Sequence, residues 1–246
     1  MKRTLLGTDL WIEQTSKQAF NLDTILLADF ASVPYKTKTI LDLGTGNGAI
    51  MLYLSQKSKA NIIGVEIQEN RYQQALKNIE MNGLQSRCSV SLGDIKDMPY
   101  REIDMIVTNP PFFKVTEDGH LNPSMELQIA RHEVMIDLKT LIESARKMLR
   151  FRGKFCMIHR PDRLIEIMSL MNKHQLEIKR LRFVHPFINE APNHVLIEAY
   201  YQGQPGLTID HPLILYQAQN VLSKELEDIY GGRSYVTHIT KQKRKT

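Results

Sequence analysis

Residues 38–50 read KTILDLGTGNGAI. Ile40, Leu41 and Leu43 form a short apolar run that stops at Gly44, as a buried strand does. Gly44, Gly46 and Gly48 follow at alternate positions, and GAIMLYLSQKS at 48–58 has the apolar spacing of a helix. A strand, a glycine-rich turn and a helix in immediate succession is the opening unit of a parallel α/β sheet. The single acid in the strand, Asp42, is out of place among apolar neighbours and needs a reason.

Outward from this unit the pattern repeats. NIIGVEI (61–67) reads as a strand and ENRYQQALKNIEMNG (69–83) as a helix closed by Asn-Gly. RCSVSLGD (87–94) and EIDMIVTN (102–109) read as strands, 113–132 as an irregular loop, and DLKTLIESARKMLR (137–150) as a helix with Asp137 as N-cap. GKFCMIH (153–159) is a strand and PDRLIEIMSLMNKH (161–174) a helix with proline in its first turn. LEIKRLRFVHP (176–186) and HVLIEAYYQG (194–203) are two strands joined by a loop too short for a crossover helix, hence antiparallel. Ahead of the first strand, LDTILLADFAS (22–32) has helical spacing. The expectation is a doubly wound, Rossmann-like α/β fold. Its sheet should have seven strands, mostly parallel, with an antiparallel final strand. One domain over 1–203, with a helical lead-in, carries an extension over 204–246. In that extension LTIDHPLILYQ reads as an edge strand or strap, and LSKELEDIYGGRSY is helical before it breaks.

The composition is that of a globular protein: 246 residues, 42% hydrophobic and 24% charged. No apolar run approaches the ~18 residues of a membrane span. The N-terminus MKRTLLGTDLWIEQ turns polar too soon for a signal peptide, so the expected location is cytoplasmic. Lys and Arg exceed Asp and Glu by 32 to 27, with a pI near 9.1, which suits a polyanionic partner without demanding one. The cations cluster at Arg146–Lys154, at Lys179, Arg180 and Arg182, and in the terminal KQKRKT. Each cluster reads as a solvated face, or in the tail as a grip on nucleic acid. Cys88 and Cys156 fall in apolar strands without metal-ligand spacing, so neither a metal site nor a disulfide is expected.

In sheets of this class ligands bind beyond the carboxyl ends of the strands. Three acids stand there: Asp42, Glu66 some 24 positions on, and Asp94. An acid about 20 residues past a glycine loop accepts from ribose hydroxyls, and Asp94 could reach an adenine edge. The loop G-x-G-x-G is not the dinucleotide G-x-G-x-x-G, carries no Lys or Arg, and lies against Asp42. That acid repels phosphate and favours a cationic ligand. S-adenosylmethionine, with a sulfonium, an ammonium and no phosphate, fits these electrostatics.

The fourth of these strands ends in IDMIVTNPPFFK (103–114). An exocyclic amine or carboxamide nitrogen is a poor nucleophile because its lone pair is delocalised. It becomes nucleophilic as it pyramidalises, which two well-placed acceptors promote. The Asn109 side-chain oxygen and the Pro110 carbonyl, on a backbone that proline fixes, would be those acceptors. Phe112 offers a flat face for a planar substrate beside Pro111. Phe113 reads as a core plug.

These motifs resemble those of class I S-adenosylmethionine-dependent methyltransferases that act on amines, whose signature is [N/D]-P-P-[Y/F/W]. The likeness runs over at least 20–203. Asp42 to Gly48 match the family's first motif, Glu66 its ribose-binding acid, Asp94 its adenine-contacting acid, and Asn109 to Phe112 its catalytic motif. FNLDTILLADF and ARHE (130–133) further resemble the bacterial valine-tRNA adenine-N6 methyltransferase group. This resemblance implies that Phe20 and Asp23 lie near the methionine end of the donor, with Asn109 beside it. It also implies that the acceptor is the adenine just 3′ of the anticodon.

Relatives with this corner methylate adenine, guanine or protein glutamine. A protein-glutamine or guanine-N2 methyltransferase, and a non-catalytic RNA-binding module, are therefore the alternatives. About 35 residues precede the first strand, which leaves no room for the helical domain of the glutamine enzymes. The loop KVTEDGHLNPSMELQIARHE reads as a substrate lid, with Lys114, Arg131 and His132 as phosphate contacts. Arg131 could equally pair with Glu126 or Glu133. An anticodon loop suits the site because its bases splay out at low cost. The expected partner is tRNA, with no membrane and no obligate protein partner.

Overall fold

The computed structural model describes residues 2–14, 22–111 and 137–232. A hairpin, β1 (Lys2–Thr4) and β2 (Trp11–Glu13), precedes helix α1 (Leu22–Phe30). The alternating part follows as β3 (Thr39–Leu43), α2 (Ala49–Lys57), β4 (Asn61–Glu66), α3 (Glu69–Met81), β5 (Cys88–Leu92) and β6 (Ile103–Thr108). Then come α4 (Leu138–Met148), β7 (Leu149–His159), α5 (Leu164–Lys173), β8 (Leu176–His185) and β9 (His194–Tyr201). The chain continues through β10 (Thr208–Ile209), β11 (Leu213–Ile214), a small hairpin of β12 (Tyr216–Ala218) and β13 (Val221–Leu222), and α6 (Lys224–Tyr230). Among the described residues no helix is long and apolar enough to cross a membrane.

The main sheet runs β10–β8–β9–β7–β6–β3–β4–β5, with β11 also on β8. β3 to β7 are mutually parallel, and β9 is antiparallel to both β7 and β8. β6 lies beside β3, so the chain reverses direction across the sheet there. Strand alternation builds two cores. Ile40 joins the core under α1, α2, α3 and α6, while Leu41 and Leu43 join the one under α4 and α5.

Two expectations need correction. Among the described residues the sheet has nine strands, not seven, because β10 and β11 pair in parallel with β8. Both lie in LTIDHPLILYQ, the segment expected to be an edge strand or strap, and each is too short to be counted as a strand from its periodicity. The α4-to-β7 junction falls at Leu149, so β7 runs from Leu149, not from Gly153, and α4 ends at Met148, not at Arg150. The register jumps from Ile103↔Leu149 to Met105↔Lys154, and the intervening residues bulge outward. Gly153 permits it, since a Cβ there would stand 2.9 Å from the carbonyl oxygens of Ile103 and Arg150. The helical lead-in expected over 22–32 is α1, and a hairpin that the sequence did not announce precedes it. β2 is paired on its free side by α3: Asn82 exchanges bonds with Trp11, and Asn78 with Glu13, at 2.7–3.1 Å. Two amides four positions apart on a helix stand in for a partner strand.

Arg180 and Arg182 do not belong to a solvated face. Arg180 lies 3.9 Å over the Phe30 ring and bonds Glu198 and Asp210, and Arg182 pairs with Glu225 on α6. Glu198 also meets Lys154 at 3.0 Å, and the Lys154 ammonium donates to the Ser32 carbonyl. The Lys154 side chain is 4% exposed and that of Glu198 9%. Removing one partner of a buried pair strands the other charge. Glu198→Ala should therefore lower unfolding free energy by about 3–5 kcal/mol in urea melts. A loss below about 1 kcal/mol would show that Lys154 finds another anion or hydration at no cost.

Candidate active site

β3 ends by delivering Asp42 to the carboxyl edge of the sheet, fully buried. The next five residues turn through three left-handed glycines, with φ of 74° at Gly44, 59° at Gly46 and 82° at Gly48. Only glycine takes such a series cheaply. The turn brings the Thr45 hydroxyl onto Asp42 Oδ2 at 2.6 Å. Gly64 on neighbouring β4 makes room for it, since a Cβ there would meet Thr45 Cγ2 and Met51 Sδ at 2.7 Å. Asp42 Oδ1 has no hydrogen-bond partner among the described residues.

Glu66 ends β4 and holds the other side of the loop. Its Oε2 accepts from the Gly46 N–H at 2.8 Å, and its Oε1 from those of Ile67 and Gln68 at 2.9 Å. Asp94, at the end of the third strand, caps a short turn by accepting from the Lys96 N–H and pairs with the Lys96 ammonium at 2.9 Å. Burial raises the Asp94 carboxyl somewhat, but these bonds outweigh it and hold the pKa below its ordinary value. Asp42 behaves oppositely. Burial pushes it up to about 7; the Thr45 hydrogen bond opposes this and the Glu66 charge adds to it.

Asn109 and Pro110 follow β6 directly, one strand from Asp42. The Thr108 hydroxyl donates to the Leu43 carbonyl at 2.9 Å and ties the two strand ends together. Asn109 is half-buried and Pro110 buried, while Pro111 is exposed. The Asn109 side-chain N–H donates to the Thr24 hydroxyl at 3.4 Å, a long bond from the first turn of α1. Asp23, one residue before, is buried and meets His194 Nε2 at 3.2 Å. Burial holds His194 below its ordinary pKa against the pull of Asp23. At the other end of α1, the buried Lys57 ammonium donates to the Ala28 and Asp29 carbonyls. The helix is thus fastened at both ends, and its first turn is held against the corner.

The described structure therefore brings Asp23, Asp42, Gly44, Gly46, Gly48, Glu66, Asp94, Asn109, Pro110 and Pro111 to one edge. Phe20, Phe112, Phe113, Lys114, Arg131 and His132 lie outside the described residues. Sequence reading missed Thr24, Thr45, His159 and His194. His159 ends β7, next to β6, and is fully buried. Its Nδ1 accepts from the Arg160 N–H at 2.8 Å, and burial lowers its pKa to about 4, so it stays neutral. Arg71 is a further addition: its guanidinium stands 3.5 Å from where a Gly46 Cβ would be, although the loop itself contains no cation. A hydroxyl or a histidine at the end of a strand carries no local signal; only the register shows what it faces.

A Rossmann-like sheet with a glycine loop, three strand-end acids and an Asn-Pro-Pro corner defines a class I methyltransferase architecture. A model of the family described as "Methyltransferase domain" matches residues 35–224. A protein of Phocaeicola vulgatus named tRNA1(Val) (adenine(37)-N6)-methyltransferase is 32% identical over 176 residues, which are 71% of this chain and 74% of that one. A protein of the same name from Tolumonas auensis is 30% identical over 205 residues, 82% of this chain and 84% of that one. Among solved structures, the predicted O-methyltransferase Atu636 of Agrobacterium tumefaciens superposes with a TM-score of 0.68 at 20% identity, over 86% of this chain and 97% of that one. TYW2 of P. horikoshii superposes at 0.55 and 16% identity, over 79% and 69%. These two share the fold. The chain belongs to the methyltransferase-domain family and, within it, to the family of the bacterial proteins named tRNA1(Val) (adenine(37)-N6)-methyltransferase.

The Asp42 environment has a measurable consequence. Its folded pKa lies above its unfolded value, so its contribution to stability is present below about pH 4 and lost as pH rises through about 7. In the unliganded protein Asp42→Asn should therefore gain on wild type across that window, by on the order of 4 kcal/mol at most. Urea midpoints at pH 4.5 and 8 check this. Wild type and variant that change in parallel would place the Asp42 carboxyl in water.

Proposed function

We propose that this protein transfers a methyl group from S-adenosyl-L-methionine to N6 of an adenine in tRNA, the adenine beside the anticodon. The observation that carries the reading is an acceptor amide, Asn109, at a proline-fixed strand end one strand from a buried carboxyl. The residues present fit the donor. Among the described residues Asp42 has an unpartnered buried oxygen to offer a cation, and a Cβ at Gly44 would meet none of them within 4 Å, which leaves room for a ligand at that point. Asp42, Gly44, Gly46, Gly48, Glu66 and Asp94 would hold it, with Phe20, Asp23 and Asn109 at its methionine end.

The donor supplies an electrophilic methyl on a sulfonium. The chain supplies the means of making a conjugated amine attack it. The Asn109 oxygen and the Pro110 carbonyl accept the two N–H groups of the adenine amine. This draws its nitrogen towards a tetrahedral shape and stabilises the positive charge that develops there. No strong base is required, because the proton is lost after the nitrogen has become cationic. Pro111 and Phe112 would stack the base, and Lys114, Arg131 and His132 would contact the RNA backbone. A substrate of this kind fits a cytoplasmic enzyme.

The test is to incubate the protein with S-adenosylmethionine and unmodified tRNA, digest the RNA and analyse the nucleosides by mass spectrometry. N6-methyladenosine should form with wild type. Asn109→Ala should form none while binding the donor within a few-fold. A methylated guanosine would overturn the base, and no methylated nucleoside from donor-binding protein would favour a protein glutamine. Collapse of donor affinity in the variant would make Asn109 a structural residue.

A further inference from the structure

The carboxyl edge of the sheet is acidic by necessity: Asp23, Asp42, Glu66 and Asp94 all stand there. Such an edge attracts a cationic donor and repels a polyanion. If RNA is the substrate, cations beyond Lys114, Arg131 and His132 would add to its attraction, because phosphate contacts dominate affinity for nucleic acids.

The opposite, amino edge carries such a group. The turn at Pro34–Thr37, just before β3, presents Tyr35 at 81% exposure with Lys36 and Lys38 exposed beside it. The bulge in β7, two strands away, presents Phe151 at 57% exposure and Arg152. Arg152 stands 5.3 Å over the Phe151 ring, at a φ of 56° that a non-glycine residue rarely adopts. Asp104 at the start of β6, between them, fastens both pieces. Its Oδ2 accepts from the Lys38 and Thr39 N–H groups at 2.8 and 3.0 Å, and its Oδ1 from the Arg150 guanidinium. These bonds engage its carboxylate, and its pKa is lowered by them against the burial that raises it. Arg101 is exposed nearby on the approach to β6, next to one exposed acid, Glu102.

An isolated exposed aromatic is ordinary on a protein surface. Two of them, interleaved with four exposed cations and fixed by one shared carboxylate, are not explained by packing. Exposed rings stack nucleobases, arginine and lysine bind phosphates, and the combination marks nucleic-acid surfaces. A bulge is also a standard way to re-aim side chains out of a sheet.

We propose that Tyr35, Lys36, Lys38, Phe151 and Arg152 form a second RNA-docking face, which grips the tRNA at a distance from the reacting base. The inference rests on tRNA being the substrate. The face lies across the depth of the sheet, about 20 Å from the corner for a six-residue strand at ~3.3 Å per residue. It therefore contacts parts of a tRNA that a short hairpin carrying only the target loop does not possess.

The test measures binding apart from catalysis. Fluorescence anisotropy with full-length tRNA and with a short target-loop hairpin would be run on wild type, Phe151→Ala/Arg152→Glu and Tyr35→Ala/Lys36→Glu. Both variants should bind full-length tRNA about ten-fold more weakly, with a shallower salt dependence. They should keep wild-type affinity for the hairpin and the donor, and wild-type melting temperatures. Unchanged tRNA affinity, or equal losses on tRNA and hairpin, would overturn the proposal. So would a wild-type protein that binds no tRNA, or light scattering showing a dimer that Phe151→Ala dissolves. Protein that binds tRNA through this face yet methylates none would overturn the reaction assignment and leave the docking face standing.

Discussion

A carboxyl group buried at the end of the first sheet strand is the constraint on which this structure turns. Burying Asp42 costs free energy, and one of its oxygens finds no hydrogen bond among the described residues. Everything around it serves to keep it there. Three left-handed glycines fold the chain back so that Thr45 can reach it, Gly64 leaves the space for Thr45, and Glu66 ties down the far side of the loop. A buried polar atom without a partner is rare in folded proteins and calls for an explanation such as an unseen ion or ligand. A cation brought to that carboxyl relieves the cost, which is why a sulfonium donor suits this loop.

The second constraint is mutual placement. The acid and the acceptor amide sit on adjacent parallel strands, β3 and β6, and the Thr108-to-Leu43 bond locks their ends. α1 then closes over both. Its first turn offers Thr24 to Asn109 and Asp23 to His194, while Lys57 on α2 secures its last turn. The Asn109 nitrogen is engaged by Thr24, which on the proposed function leaves its oxygen to accept from the substrate amine. The corner is thus a junction whose walls come from three elements distant in sequence.

Much of this was legible before any coordinates, and the reasons are physical. The strands around KTILDLG and EIDMIVTN are apolar and end in breakers, so the glycine loop, Glu66, Asp94 and the Asn-Pro-Pro corner all fall at strand ends by periodicity alone. Hidden were the parts that rest on long-range pairing. The β1–β2 hairpin is held by Asn78 of α3 and by Asn82 at its C-cap, and asparagines in such places announce no partner. The bulge after Leu149 shows only as Gly153, and its purpose depends on what Ile103 and Asp104 do opposite. Arg180 read as a surface cation because its stacking on Phe30 and its bond to Glu198 join residues that sequence does not bring near. Thr24 and His194 are ordinary residues in ordinary patterns until the register sets them against Asn109 and Asp23.

On the proposed function, a buried, largely protonated Asp42 becomes the charged seat of the cationic donor. Calorimetry of S-adenosylmethionine binding at pH 6.5, in buffers of differing ionisation enthalpy, tests it directly. With the Asp42 pKa near 7 in the unliganded protein, binding should release a substantial fraction of a proton to the buffer. Asp42→Asn should reduce that release to near zero. Donor binding with no proton released by wild type, or the same release from Asp42→Asn, would contradict the account and move the donor's charge partner elsewhere.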